Sequence, residues 1–90
     1  MTEIGQDRHI ELNGLTFSFL DYGGRGRDMV LLHGLASNAR FWELAAPHLA
    51  EGFRVLALDQ RGHGDSAKPD AGYDFSTVAA DVASFMAVLG

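Results

Sequence analysis

Hydrophobic positions follow two patterns along the first two thirds of the chain, and each pattern predicts a different kind of strand. Residues 8–12 and 15–22 alternate between apolar and polar side chains and are separated by Asn13-Gly14, a dipeptide that favours a type I′ hairpin turn. Residues 29–32 and 53–58 are instead largely continuous apolar runs, which are typical of strands buried on both faces in a parallel sheet. We therefore expect an antiparallel hairpin followed by two parallel strands.

The segment between the two apolar runs has the spacing of an amphipathic helix over residues 39–50. The face predicted to be buried carries Phe41, Trp42, Ala45 and Leu49. Ser37 or Asn38 is suited to cap the start of this helix, and Pro47 is expected to kink it or to start a second part of it. A strand, a helix and a strand with short connections predict a right-handed parallel crossover.

The two ends of the chain differ in character. Phe75–Leu89 carries apolar side chains at spacings of three and four residues, which predicts a helix that packs on a sheet. Asp74 is expected to be its N-cap. Residues 1–7 are polar and are expected to fray.

Composition bounds the class of protein. The 90 residues indicate one small domain, and the net charge of −5 disfavours a nucleic-acid partner or an anionic membrane surface. The chain has no cysteine, so it forms neither a disulfide nor a thiolate metal site. No apolar run approaches the ~20 residues that span a bilayer. We expect a soluble cytoplasmic protein without a cofactor, a nucleic-acid partner or a membrane partner.

Two loops carry the candidate chemistry, and the first of them begins at His33-Gly34, where the run over residues 29–32 stops. Gly34 is expected to allow a sharp turn where a Cβ would clash. Free backbone N–H groups gather where a strand leads into a helix, and ligands of open α/β sheets bind at this edge. The residues alone leave two interpretations open: an anion-stabilising backbone loop, or an ordinary strand-to-helix turn.

The second loop is Asp-Gln-Arg-Gly-His-Gly-Asp-Ser, residues 59–66, directly after the second apolar run. Glycines on both sides of His63 predict backbone conformations that other residues avoid. Asp59 and Arg61 are expected to pair with each other, and Asp65 and Ser66 to bond nearby backbone N–H groups. This pattern indicates a rigid turn that shapes a site and performs no chemistry of its own.

Two other interpretations of these loops are weaker. The spacing Gly62-x-Gly64-x-x-Ala67 formally matches a dinucleotide-binding fingerprint, but Lys68-Pro69 and a long loop stand where its helix should open. A metal site formed by His33 and His63 is conceivable, since both follow predicted strands. It lacks an obvious third ligand nearby in the sequence.

The combination of these segments resembles the N-terminal part of the α/β-hydrolase superfamily. The resemblance rests on Leu-Leu-His-Gly at residues 31–34, the Phe41-Trp42 segment and residues 59–66, and it continues through Lys68-Pro69, Tyr73 and Asp81. It implies the α/β fold class, in which an antiparallel hairpin, a parallel βαβ unit and a C-terminal helix form the first part of the hydrolase fold. It also implies that the oxyanion-hole and substrate-binding residues are His33, Gly34 and Leu35, with the backbone N–H of Leu35 as one donor. The implied structural motif consists of Asp59, Arg61, Gly62, Gly64 and Ser66.

The nucleophile of such hydrolases lies on a Gly-x-Ser-x-Gly elbow after the next strand, and this pentapeptide does not occur in the chain. No serine of the chain matches the nucleophile, and neither His33 nor His63 matches the catalytic base. We therefore assign no catalytic residue and expect residues 1–90 to be a single partial domain, truncated before the elbow. The alternative is a non-catalytic hydrolase-like module or an inactive truncated product.

The loop residues narrow the chemistry that the resemblance implies. Typical epoxide hydrolases have proline where this chain has Ala36, and many haloalkane dehalogenases have asparagine where it has Leu35. The complete protein is thus expected to act on carboxylic esters, lactones or related small acyl substrates. The resemblance also places the strand of residues 29–32 at an open apolar edge of the sheet in this chain, which predicts self-association.

Overall fold

The computed structural model describes residues 5–90, which form a mixed sheet with helices on both faces. The strands are β1 (Gln6–Leu12), β2 (Leu15–Gly23), β3 (Asp28–Leu32) and β4 (Arg54–Leu58). A 3₁₀ helix (Ala39–Trp42) and a short helix, α1 (Ala46–Leu49), follow β3, and a longer helix, α2 (Phe75–Leu89), follows β4. The expected order of hairpin, βαβ unit and C-terminal helix is confirmed.

The hairpin of β1 and β2 forms as its sequence predicts. Asn13 and Gly14 have φ angles of 52° and 80°, as both central residues of a type I′ turn require. The expectation of fraying is wrong for Gln6 and Asp7, because the ladder with β2 extends to Gln6 opposite Asp21. Residues 1–4 of the same expected segment lie outside the described residues.

The sheet has the order β1-β2-β4-β3, with β2 antiparallel and β3 parallel to β4. Strand β4 is buried on both faces, and Val55 to Leu58 are all 0% exposed. The same expectation is wrong for β3, where Leu31 is buried but Leu32 is 40% exposed. The difference has a simple cause: β4 has a neighbour on each side, whereas β3 pairs only with β4 among residues 5–90.

The continuous helix expected over residues 39–50 is also wrong, because the segment forms two short pieces. The 3₁₀ helix is capped by Asn38, whose side-chain oxygen accepts the N–H of Arg40 at 2.9 Å. Pro47 lies in the first turn of α1, where its missing N–H costs nothing, whereas in a continuous helix its ring would clash with the carbonyl of Glu43. Phe41 and Ala45, both predicted to be buried, are exposed, and Ala46 is buried instead.

Each face of the sheet has its own apolar core. On one face the 3₁₀ helix and α1 cover a cluster that includes Leu20, Val55 and Ala57. On the other face Phe85 of α2 packs edge-on against Phe19 of β2, with the ring centroids 5.0 Å apart. Asp74 caps α2 as predicted, since its carboxylate accepts the N–H of Thr77.

The apolar stripe of α2 is only partly covered, and Phe75, Met86 and Val88 are more than half exposed. Within residues 5–90, no helix combines the length and the hydrophobicity needed to cross a membrane.

Candidate functional site

The carboxyl ends of β3 and β4 are adjacent in the sheet, and this brings the two loops of the sequence motifs together. Residues 33–37 leave β3, and residues 59–66 leave β4. Between them lies an open cavity of about 360 Å³. Its walls include His33, Gly34, Leu35, His63, Tyr73 and Phe75.

His33 joins the first loop to the second. Its Nε2 accepts the backbone N–H of Gln60 at 3.0 Å, and the Gln60 side-chain amide donates to the carbonyl oxygen of His33 at 2.8 Å. Its Nδ1 lies 2.8 Å from the carbonyl oxygen of Gly34. Because a carbonyl oxygen only accepts and an amide N–H only donates, these contacts assign the neutral imidazole with its proton on Nδ1.

The contacts of Gly34 fix the direction of the next N–H group. The Gly34 carbonyl oxygen accepts from His33 Nδ1 and, at 3.2 Å, from the N–H of Ser37. In a trans peptide the carbonyl and the following N–H point in opposite directions, so the N–H of Leu35 points away from His33. Within residues 5–90 this N–H has no acceptor, and the Leu35 side chain is 93% exposed.

The reason expected for glycine at position 34 is wrong. Gly34 does not adopt a positive φ, and a Cβ added there would meet no atom within 4 Å. The left-handed residue of this loop is Ala36, with a φ of 61°. Among residues 5–90, therefore, nothing beyond the two chain neighbours of Gly34 fills the space beside it.

His63 holds the first loop from the opposite side. Its Nε2 accepts the N–H of Ala36 at 3.2 Å, and its Nδ1 donates to the carbonyl oxygen of Arg61 at 3.0 Å. The flanking Gly62 and Gly64 have φ angles of 80° and 53°, which confirms their predicted conformations. The rings of His33 and His63 lie 4.9 Å apart, but in the part of the chain that the structure describes they belong to no cluster of three metal-ligating side chains.

Asp59 is not the partner of Arg61, contrary to expectation. Its two carboxylate oxygens accept the backbone N–H groups of Ala39 and Asp65, at 2.7 and 3.2 Å. A Cβ on Gly64 would collide with this carboxylate, so a glycine is required at that position. Asp59 thereby joins the second loop to the start of the 3₁₀ helix.

Ser66 bonds backbone groups as predicted, but its partner is distant in the sequence. Its hydroxyl accepts the N–H of Ser18 in β2 at 2.8 Å and donates to the carbonyl oxygen of Asp59 at 2.6 Å. Asp65 contributes to the loop through its own backbone N–H, which donates to the Asp59 carboxylate, rather than through its side chain. The end of the second loop is thus attached to the sheet.

Arg61 pairs with Asp81 of α2, at 2.7 Å between Nε and Oδ2 and 2.9 Å between Nη2 and Oδ1. Both side chains are buried, and the hydrogen bond with Asp81 raises the pKa of Arg61. Asn13 of the hairpin turn also donates to Asp81, at 3.1 Å. The sequence contains a signal that could have identified this partner. Asp81 lies four residues before Phe85, and residues at this spacing share one face of a helix, here the buried face.

Two further residues of the site, Gln60 and Tyr73, were not assigned a role from the sequence. Gln60 locks the backbones of the two loops together, as described above. Tyr73 lies against the second loop, where a Cβ on Gly62 would approach its ring to 2.6 Å. Its hydroxyl donates to the carbonyl oxygen of Pro69 at 2.6 Å, so the segment leading to α2 folds back over the loop.

Comparison with known proteins supports the fold described above. A family model described as the alpha/beta hydrolase fold matches residues 29–90. N-formylmaleamate deformylase of Pseudomonas putida is 37% identical over 91% of this chain and 31% of its own length. Soluble epoxide hydrolase of Corynebacterium sp. is 42% identical over 88% of this chain and 27% of its own length.

Among solved structures, a bacterial membrane phospholipase A superposes with a TM-score of 0.90 and 34% identity, over 98% of this chain and 29% of that one. The chain thus spans less than a third of the length of these relatives. The residues matched by the family model include β3, β4, both loops and α2. The chain belongs to the family of proteins with the alpha/beta hydrolase fold.

Proposed function

We propose that the chain forms the N-terminal part of an α/β-fold hydrolase and supplies one oxyanion donor, the backbone N–H of Leu35. The substrate proposed is a carboxylic ester, a lactone or a related small acyl compound. The observation that carries the proposal is the direction of this N–H, which points away from His33 and has no acceptor within residues 5–90.

The physical basis is preorganisation. A donor stabilises a developing oxyanion best when its direction is set before the reaction, since no reorganisation is then needed in the transition state. Two hydrogen bonds to the Gly34 carbonyl set the direction of the Leu35 N–H. The open space beside Gly34 leaves room for a substrate or for a catalytic group to approach.

The charges and the walls of the cavity favour an uncharged substrate group in this part of the site. Arg61 lines the cavity, but its guanidinium is bound to Asp81. Leu35, Tyr73 and Phe75 present largely apolar surface there. The relatives differ in chemistry, since one is named a deformylase and another an epoxide hydrolase. Ala36, which replaces the proline of typical epoxide hydrolases, favours the acyl substrate.

The test is hydrolysis of p-nitrophenyl acyl esters by two proteins: this chain alone, and the chain joined to the sequence that follows it in its gene. We expect no turnover above background from the chain alone and clear turnover from the longer protein. A stop codon directly after Gly90, followed by unrelated sequence, would favour a non-catalytic module. A longer protein that binds the ester without hydrolysing it would favour the same alternative. Turnover by the chain alone that survives purification and disappears in Gly34→Pro would contradict the proposal. In that proposal the chain supplies one oxyanion donor and no catalytic residue.

A further inference from the structure

We propose that His63 is a positioning residue for the Leu35 donor, which it acts on through the backbone N–H of Ala36. This inference rests on the proposed function, because it concerns the same donor. It assigns a task to a side chain that matches neither a base nor a metal ligand. The proposal is based on the 3.2 Å contact between His63 Nε2 and the N–H of Ala36, the one left-handed residue in the first loop.

The first loop is a strained turn. The N–H of Ser37 closes it on the carbonyl oxygen of Gly34, and Ala36 is its third residue with a φ of 61°. Type II turns place a positive φ at this position, where glycine or asparagine is the usual residue. Alanine has a Cβ that disfavours this conformation, so the turn needs a contact that holds Ala36 in place.

His63 is built to supply that contact. Its Nδ1 proton is bound to the carbonyl oxygen of Arg61, and the side chain of Arg61 is anchored by the buried pair with Asp81. The positive φ angles of Gly62 and Gly64 set the path of the backbone on both sides of His63. The imidazole is therefore fixed in direction and in tautomer, and its Nε2 is available only as an acceptor.

The two histidines hold consecutive peptide groups of the first loop. His33 holds the carbonyl of Gly34, and His63 holds the N–H of Ala36. The N–H of Leu35 lies between these two points of attachment. Without His63, the peptide between Leu35 and Ala36 is free to rotate so that Ala36 leaves the left-handed region, and the turn bond from the Ser37 N–H to the Gly34 carbonyl is lost. The Leu35 donor is then held through His33 alone, while the sheet remains intact.

A nuclear magnetic resonance experiment on the full chain tests the contact without any activity assay. In the wild-type chain we expect the neutral imidazole of His63 to carry its proton on Nδ1. His63→Leu should speed hydrogen exchange at the Ala36 amide about tenfold, the value of one hydrogen bond, and leave the amides of β4 unchanged. His63→Gln, which keeps an acceptor, should restore part of the protection, and His48→Leu at an exposed histidine should change nothing.

Either of two results overturns the role of His63: a proton on Nε2 in the wild-type chain, or unchanged exchange at Ala36 in His63→Leu. The tautomer is read in the wild-type chain, so it decides the question even if a variant fails to fold. The tautomer measurement also does not depend on the ester-hydrolysis assay. Failure of the ester assay therefore counts against the proposed function, and a wrong tautomer counts against His63 alone.

The kinetic consequence is measured in the longer, active protein. His63→Leu should lower kcat about tenfold with little change in KM, since one hydrogen bond that orients the donor is lost. Ala36→Gly removes the steric strain, so adding it to His63→Leu should restore part of kcat. An increase in KM with unchanged kcat, or no recovery in the double variant, would show that His63 does not position the donor.

Discussion

Arg61 and Asp81 form a buried two-point ion pair beneath the second loop, with the shorter distance, from Nε to Oδ2, at 2.7 Å. The two residues are 20 positions apart, and the pair joins the loop after β4 to the middle of α2. Asn13 donates to the same carboxylate from the tip of the hairpin. One carboxylate thus holds together three segments that are far apart in the sequence.

Replacing Asp81 by leucine is expected to lower the free energy of unfolding by about 3 kcal/mol, because it leaves the Arg61 charge buried without its partner. The double replacement Arg61→Leu and Asp81→Leu should recover much of this loss. Urea denaturation measures the effect. The matched control is Asp28→Leu, which removes a partly exposed pair with Arg54 and should cost less than about 1 kcal/mol. Equal losses at Asp81 and Asp28 would contradict the structural importance of the buried pair.

The pH dependence of stability is expected to include a contribution from Asp74. Hydrogen bonds from the side chain and then the backbone of Thr77 lower the pKa of Asp74 below its ordinary value of 3.8. Its contribution is therefore complete above that pH and is lost as the pH falls through the lowered value. Thermal unfolding across acidic pH should show that wild type and Asp74→Asn converge in stability as the pH falls. A difference for Asp74→Asn that is constant with pH would contradict the account.

The sequence predicted best those elements whose neighbours lie within the chain. Strand β4 is an apolar run with a partner on each side, and it is buried as its pattern indicates. Strand β3 has the same pattern, but the part of the chain that the structure describes gives it a partner on one side only. Apolar periodicity indicates which residues favour burial, and it contains no information about whether a covering segment is present. The same limit applies to Phe75 and Met86 on α2.

The candidate site was predicted in its location but not in its contacts. Proximity in the sequence suggested that Arg61 pairs with Asp59, but the backbone N–H groups of Ala39 and Asp65 occupy that carboxylate. The sharp turn was assigned to Gly34, where a Cβ was expected to clash, whereas no such clash is found and the left-handed residue of the turn is Ala36. Both errors have one cause: hydrogen bonds across the two loops decide local conformation, and single-residue preferences do not describe them.

We propose that the isolated chain self-associates through β3. This strand is an edge of the sheet with Leu32 exposed, and the apolar side chains of Met86 and Val88 on α2 are exposed as well. Unpaired backbone groups beside apolar surface promote the addition of another strand. Sedimentation should show concentration-dependent association, and Leu32→Lys should reduce it by placing a charge on the edge. Leu44→Lys, at an exposed leucine outside the strands, should leave association unchanged. A monomer at all concentrations with one sharp unfolding transition would refute this proposal.

The most direct test of the central claim compares two substitutions at Leu35 in the longer, active protein. If Leu35 acts through its backbone, Leu35→Ala should keep most of kcat, because it retains the N–H and removes only an exposed side chain. Leu35→Pro removes the donor and should lower kcat by about 10²-fold or more, to which strain in the loop adds. Thermal unfolding of both variants checks that the fold is retained. A large loss in Leu35→Pro with near wild-type kcat in Leu35→Ala is the result we predict, and equal losses in the two variants would contradict the assignment of the oxyanion donor.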